Sequence, residues 1–327
     1  MIKIVIDTLG ADAGMEPIVK GVAKALYKKI DFFPVLVGPA ADIRELMDRE
    51  GILPDQYEVV PADNYISNEE PAHCIFGGRD ESSMAIAYGR LKSDPECGAL
   101  LSAGSTGALL VGSICRLGVV PGLKFPALLS ALPCAGEKLL CLVDCGANMD
   151  CSAADLARFA KMGHVFSRCY CGIEAPRIGL MSVGREKQKG TALVQEAYEK
   201  IDQLGLNFVG NVEGSDLVSG YADVIVTDGF SGNLLLKNAE AVGKAAMQIV
   251  GVYGIGADPA ILARIREKLF KTFDFNSQGA ATLLGPKKTV VKMHGSANED
   301  TALASIEQIL RLEKAGFSQA MAAAMTK

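Results

Sequence analysis

Residues 102–108, "SAGSTGA", contain glycines and hydroxyls but no carboxylate, imidazole, amine or thiol. They follow the apolar run "ECGALL" and open a helix-like stretch, "STGALLVGSICRL", so the loop's backbone amides are expected at a helix N-terminus. Such a place suits an anion, because the first amides of a helix lack intrahelical acceptors and the helix dipole favours negative charge. Gly104 and Gly107 would let a ligand approach the backbone, while Ser105 and Thr106 add hydroxyl donors. A plainer reading is a helix capped by Ser105 or Thr106, and the sequence leaves both open. The stretch is neither a Walker A loop nor a GxGxxG turn.

Other strand-end loops carry the remaining candidates. "DGFSGN", residues 228–233, closes "ADVIVT" and leads into "LLLKNAEAVGKAA". It is read as a second phosphate or oxyanion loop built from Asp228, Gly229, Ser231, Gly232 and Asn233, with Lys237 about one turn into the helix. Asp228 equally suits an Asx-type cap. In "DCGANMDC", Asp144 ends an apolar strand and Asn148 approaches a helix that Asp150 or Ser152 would cap. "MHGSANED" places His294 beside Gly295 and Ser296, the best setting among the 3 histidines for proton transfer. "GREKQKGT" offers Arg185, Lys187 and Lys189 as an anion grip or as a solvated charge run. At the N-terminus, "IDTLGADAGMEP" sets Asp7 at a strand end, with Gly10, Asp12 and Pro17 leading into a helix.

No G-x-S-x-G or H-E-x-x-H pattern accompanies these loops. The chemistry expected is therefore a transfer without metal or cofactor, in which the substrate supplies the nucleophile; phosphate would serve. Lys189, Lys237 and His294 are the candidate electrostatic or proton-transfer groups.

Positioning such loops requires strands that end together. "IKIVID", "FPVLVG", "YEVVPA", "GALLSAG", "LLCLVDCG", "RIGLMSVG", "NFVGNVEG", "DVIVTDG" and "KKTVVKMHG" are short, apolar and bounded by Gly, Asp or Ser. Helix-like stretches at 16–29, 40–50, 152–168, 190–204 and 298–315 alternate with them, predicting an α/β fold with a mostly parallel sheet and helices on both faces. Ligands of such sheets bind outside the carboxyl ends of the strands. Residues 241–278 show successive helical patterns without a strand signal, a helical excursion from a single catalytic unit spanning 1–327.

The chain has 327 residues, 49% of them hydrophobic and 22% charged, with a formal net charge of -5. This is ordinary globular usage. An acidic chain without a basic run argues against a nucleic-acid partner. No apolar run reaches the roughly 18 residues of a membrane span, although "DPAILARIREKLFKTFDF" is a basic amphipathic stretch that fits the protein body, a partner or a membrane surface. An odd number of cysteines, 9, and the absence of a signal-like start argue for reduced thiols in the cytoplasm. Cys141, Cys145, Cys151, Cys169 and Cys171 lack the paired spacing of a zinc site.

Together these loops resemble the phosphate acyltransferase (PlsX) family of phospholipid synthesis. The likeness runs through Asp7–Asp12, Ser102–Ala108, Asp144–Asp150, "FAKMG" at 159–163, "NFVGNVEG" at 207–214, "DGFSGN" at 228–233 and "HGSA" at 294–297, in the family's order. It implies transfer of a fatty acyl group from acyl carrier protein to inorganic phosphate. It also implies a homodimer, peripheral membrane contact, and a fold related to phosphotransacetylases and isocitrate or isopropylmalate dehydrogenases. Two other activities remain open: a transferase of short acyl groups such as acetyl, and a non-catalytic scaffold for carrier protein or membrane. Three positions depart from the family pattern. Ser105 stands where Asn is common, Asp80 in a segment usually rich in Lys, and Phe125 where Arg is usual. Two cationic groups are then missing, and three readings stay open: Arg79 or Lys124 stands in, the acyl donor differs, or the chain is a specialised relative.

Overall fold

A computed structural model describes residues 1–134, 138–254, 258–273 and 279–326. The chain divides into two compact units, Met1–Pro126 with Gly279–Lys327, and Ala127–Gln278.

The first unit begins with β1 (Ile2–Asp7), α1 (Glu16–Tyr27), β2 (Phe32–Gly38), α2 (Ala40–Arg49), β3 (Glu58–Pro61), α3 (Ser83–Ser93), β4 (Cys97–Ser102) and α4 (Thr106–Gly112). A wide helical turn, Ser113–Leu117, prolongs α4. The second unit holds β5 (Ala127–Cys134), β6 (Lys138–Val143), α5 (Ala153–Phe166), β7 (Ile178–Met181), α6 (Ala192–Asp202), β8 (Phe208–Val212), β9 (Val224–Val226), α7 (Gly229–Tyr253) and α8 (Pro259–Phe273). The chain then completes the first unit with β10 (Ala281–Leu284), β11 (Thr289–Lys292), α9 (Glu299–Lys314) and α10 (Phe317–Met325).

Strand order in the first unit is β3-β2-β1-β4-β11-β10, and in the second β5-β6-β9-β7-β8. All pairings within these two runs are parallel except β10 with β11 and β5 with β6. The expected α/β class is present, for the expected reason: strands buried on both faces are apolar throughout. Ile4 and Ile6 of β1 pack with Ile18 and Val22 of α1 and Ile306 and Ile309 of α9. Val5, equally buried, points to the opposite face by strand alternation, and α3 packs against β1. Helix starts follow local chemistry. Ser152 accepts the Asp155 amide and Asp155 accepts the Ser152 amide, a reciprocal cap for α5. Asn298 does the same for α9 through Thr301.

Two strands escape the sequence pattern, β5 and β10. Each is an antiparallel partner joined to the next strand by a short connection, so no helix stands between the pair to mark it. α3 and α10 were likewise unmarked. The helical excursion starts earlier than position 241, because α7 runs unbroken from Gly229 to Tyr253 and packs against α8. Residues 255–257 and 274–278, part of the expected excursion over 241–278, lie outside the described residues, as do the last two positions, 274 and 275, of the basic amphipathic stretch. Among the described residues, no helix is long and apolar enough to cross a membrane.

Candidate active site

In the first unit, the parallel register sets Asp7 beside Ser102 and Ser102 beside Lys292. Three adjacent strands thus end in an acid, a hydroxyl and an amine on one face. Asp7 is buried; its Oδ2 accepts the Ser102 hydroxyl at 2.7 Å and its Oδ1 accepts the Leu9 amide at 3.3 Å. Burial drives the Asp7 carboxyl above the usual Asp range, opposed by the nearby Ser83 hydroxyl, by the hydrogen bonds from Ser102 and Leu9 and by the Lys292 charge. Ser102 Oγ in turn accepts the Gly104 amide at 3.0 Å. Lys292, only 9% exposed, donates from Nζ to the carbonyls of Ala103, at 3.3 Å, and Met293.

This row anchors the loops that follow it. Gly10 has φ of +84°, and a Cβ there would lie 2.8 Å from Gly104 Cα, so only glycine permits this approach. Asp12 donates its amide to Gly295 O at 2.8 Å. Loops 7–12, 102–107 and 293–297 therefore converge. Ser105 is buried, and its side chain makes no capping hydrogen bond to α4. The first backbone bond of that helix runs from Leu109 N to Ser105 O at 2.9 Å. Ahead of it the amides of Thr106, Gly107 and Ala108 have no acceptor among the described residues, the condition for anion binding. His294 is exposed; the Ser296 amide donates to its Nδ1 at 3.2 Å, and Ser296 Oγ lies 2.8 Å from the same nitrogen. A neutral ring held this way carries its proton on Nε2.

In the second unit, "DGFSGN" does not repeat that geometry. Asp228 Oδ1 accepts the Ser231 amide at 2.8 Å, and the Gly229 amide donates to Asn148 O at 2.8 Å. A protein carboxylate thus stands where an anion would bind, and Asp228 is the helix cap. Asp144, fully buried, receives the amides of Leu128, Gly146 and Ala147 on Oδ1 and both the amide and the side-chain Nδ2 of Asn148 on Oδ2. Burial pushes the Asp144 carboxyl above the usual Asp range, and those donors oppose the rise. Asp144 and Asn148 therefore tie loop 144–148 together. A Cβ on Gly232 would lie 1.9 Å from Asp144 O, which is how closely the first turn of α7 seats on that loop.

Lys237 is not one turn into its helix. It lies eight residues beyond Gly229, about 12 Å along the axis, because the helix begins inside the glycine loop, and it pairs with Glu240 at 3.2 Å. Arg185 pairs with Asp216 at 2.8 Å and stacks 4.4 Å over Tyr221, and Lys187 pairs with Glu199 at 2.8 Å. Of the proposed anion grip, only Lys189 makes no ion pair among the described residues. Arg79 is held by Glu70 through Nε at 2.7 Å, Asp80 is paired with Arg116, and Phe125 and Lys124 are exposed. All cysteines are free thiols, and no metal-holding cluster occurs among the described residues.

Sequence reasoning overlooked Lys292 and Ser83. A lysine closing the apolar run "TVVK" was the available signal, since a strand buried on both faces seldom admits an amine without a partner.

The sequence matches the fatty acid synthesis protein family over residues 2–320. This chain belongs to that family. Members similar to it include the phosphate acyltransferase of Clostridioides difficile, 34% identical over 317 residues, which cover 95% of this chain and 93% of the relative. That of Caldanaerobacter subterraneus is 36% identical over 318 residues, again 95% of this chain and 93% of the relative. In fold, this family member is similar to a phosphotransacetylase from Streptococcus pyogenes, with a TM-score of 0.65 at 17% identity, covering 95% of this chain and 94% of the other. A branched-chain phosphotransacylase from Enterococcus faecalis gives a TM-score of 0.60 at 16% identity, covering 95% and 98%. A Salmonella typhimurium chain described as a 4-hydroxythreonine-4-phosphate dehydrogenase gives 0.52 at 15% identity, covering 95% and 100%. The family match agrees with the motif resemblance, and the structural likenesses extend the agreement to the fold.

Proposed function

We propose that this chain transfers a fatty acyl group from acyl carrier protein to inorganic phosphate, giving an acyl phosphate for phospholipid synthesis, and that residues 1–327 act as one catalytic unit. The observation that carries the reading is the set of unengaged amides at Thr106, Gly107 and Ala108, beside a loop drawn tight by Asp7, Ser102 and Gly10. Family membership over nearly the whole chain supports it.

In the reaction a phosphate oxygen attacks the thioester carbonyl carbon, forming a C–O bond and a tetrahedral oxyanion. The C–S bond then breaks and the pantetheine thiolate leaves with a proton. Loop 102–107 holds the phosphate through amides and the Ser105 and Thr106 hydroxyls, with the dipole of the α4 turn favouring its charge. His294, carrying its proton on Nε2, protonates the departing thiolate. Lys189, Ser231 and Asn233 are the second unit's own proposed site residues. Lys237 is withdrawn from the catalytic set because of its distance from the start of α7.

We also propose a homodimer and peripheral membrane contact. α7 exposes Leu234, Val242, Ile249, Val252 and Tyr253, and α8 exposes Ile261 and Ile265, more apolar side chain than scattered surface residues present. Sedimentation equilibrium and vesicle flotation test the two separately.

The activity test incubates the protein and phosphate with long-chain acyl carrier protein, acyl-CoA or acetyl-CoA and traps acyl phosphate with hydroxylamine. Phosphate-dependent hydroxamate from the long-chain carrier-protein thioester is expected. Product from acetyl-CoA alone would instead assign a short-chain transferase, and retained carrier-protein binding without product would assign a scaffold.

A further inference from the structure

We infer that Lys292 is a positioning residue for the acyl-transfer step, its ammonium fixing the ends of β4 and β11 so that loop 103–107 is held ready for phosphate. The inference rests on the phosphate-binding reading of that loop.

The sheet ladder between β4 and β11 ends at Ser102 and Lys292, with a last backbone bond from Met293 N to Ser102 O at 2.9 Å. Beyond it the Ala103 and Met293 carbonyls have left the ladder. Lys292 Nζ donates to both, one on each side of the gap between the strands. Ala103 lies between Ser102, whose hydroxyl is held by Asp7, and Gly104, whose amide is held by Ser102. Three consecutive residues leading into the loop are therefore fixed by side chains from β1, β4 and β11. A buried ammonium is costly unless it is compensated. Here two carbonyls and the Asp7 charge compensate it, and Asp7 gains in return, since Lys292 is among the groups that lower its proton affinity.

A wholly structural lysine would alter stability and leave the folded enzyme's turnover alone. A positioning lysine alters kcat in the folded enzyme, because displacement of a reacting group by about 1 Å can cost on the order of 100-fold. The pH dependence is also specific. The titratable and charged groups facing Asp7 among the described residues are Lys292 from β11 and the Tyr88 phenol from α3, which burial and the Asp7 charge keep neutral; Ser83 and Ser102 carry no charge.

The experiment compares Lys292→Met and Lys292→Arg with wild type in the hydroxamate assay, each shown to be folded by near-ultraviolet circular dichroism. Lys292→Met should lose roughly 100-fold in kcat, with KM for acyl carrier protein within about threefold. Its acid limb should move to higher pH as Asp7 loses a nearby cation. Lys292→Arg should recover part of kcat and the original acid limb. A folded Lys292→Met enzyme with wild-type kcat and an unmoved acid limb overturns the inference. A wild-type protein that makes no hydroxamate overturns the functional reading instead. In that case, carbon-13 detection of the Asp7 carboxyl in wild type and Lys292→Met still decides the coupling, an unshifted titration disproving it. If Lys292→Met does not fold, the Arg variant carries the test: retention of the wild-type pH profile with reduced kcat supports positioning, and full wild-type kcat with the bond geometry changed disproves it.

Discussion

Ser102 donates its hydroxyl hydrogen to Asp7 Oδ2 over 2.7 Å, joining residues 95 positions apart in sequence. Ser102 Oγ itself accepts the Gly104 amide, so one hydroxyl links the first strand to the glycine loop. Ser102→Ala should destabilise the fold by about 1–3 kcal/mol, because it leaves a buried carboxyl oxygen and an amide unsatisfied. Urea unfolding measures the loss, and turnover should fall with it because Gly104 is released. A stability change below about 0.5 kcal/mol would show that neither group depends on the hydroxyl.

Ser105 makes no capping bond, so Ser105→Ala should leave stability within about 0.5 kcal/mol of wild type. The effect should appear in KM for phosphate, raised roughly tenfold by loss of one hydrogen bond to a charged ligand. An unchanged phosphate KM would remove Ser105 from the binding loop.

Asp228 separates capping from catalysis. Asp228→Ala should cost about 0.5–2 kcal/mol by freeing the Ser231 amide at the head of α7, whereas Asp228→Asn keeps a cap of equal quality. Asn should therefore retain both stability and activity. Normal stability with lost activity in the Asn variant would mean that the carboxylate charge acts in the reaction.

Asp223 governs one part of acid stability. Burial pushes its carboxyl up, but the Arg177 side chain and amide outweigh burial and hold it below the usual Asp range. The unfolded chain then binds the proton more readily, so this stabilisation is complete above the ordinary Asp value near 3.9 and is lost as pH falls through the lower folded value. At pH 7, Asp223→Asn should be less stable by about 1–3 kcal/mol, and the gap should close in acid. Thermal unfolding of both proteins across pH 2–7 checks this; a gap constant with pH would contradict the ion-pair origin.

Thiol reactivity should follow burial. Cys115 is exposed, whereas Cys97 and Cys145 are buried and pushed up to about 11 and about 12. Iodoacetamide at pH 8 should label Cys115 well before Cys97 or Cys145. Peptide mapping over time gives the order, and early modification of Cys145 would reveal opening of the β5–β6 pair.

Much of this protein is legible in one dimension. The strands from "IKIVID" to "KKTVVKMHG" are continuous apolar runs closed by Gly, Asp or Ser, and burial on both faces leaves little other reading. The same local logic finds the "SAGSTGA" loop, Ser152 as one of two cap candidates for its helix, and a set of collinear motifs sufficient to point to the family. β5 and β10 remain hidden because antiparallel neighbours need no intervening helix. Lys237 is misplaced because the start of α7 depends on Asp228 turning back to cap Ser231.

What only tertiary structure decides is which groups meet. Asp7, Ser102 and Lys292 share no local pattern; parallel register across β1, β4 and β11 sets them in a row. The contrast between the two glycine loops is equally non-local in consequence, since Asp228 takes the Ser231 amide and Asn148 O the Gly229 amide in one loop, while the hydroxyl of Ser105 leaves the amides open in the other. Sequence determines which segments are buried and where they turn, because hydrophobicity and backbone freedom belong to each residue. Register and hydrogen-bond direction belong to pairs of distant segments, and they exist only once the sheet has formed.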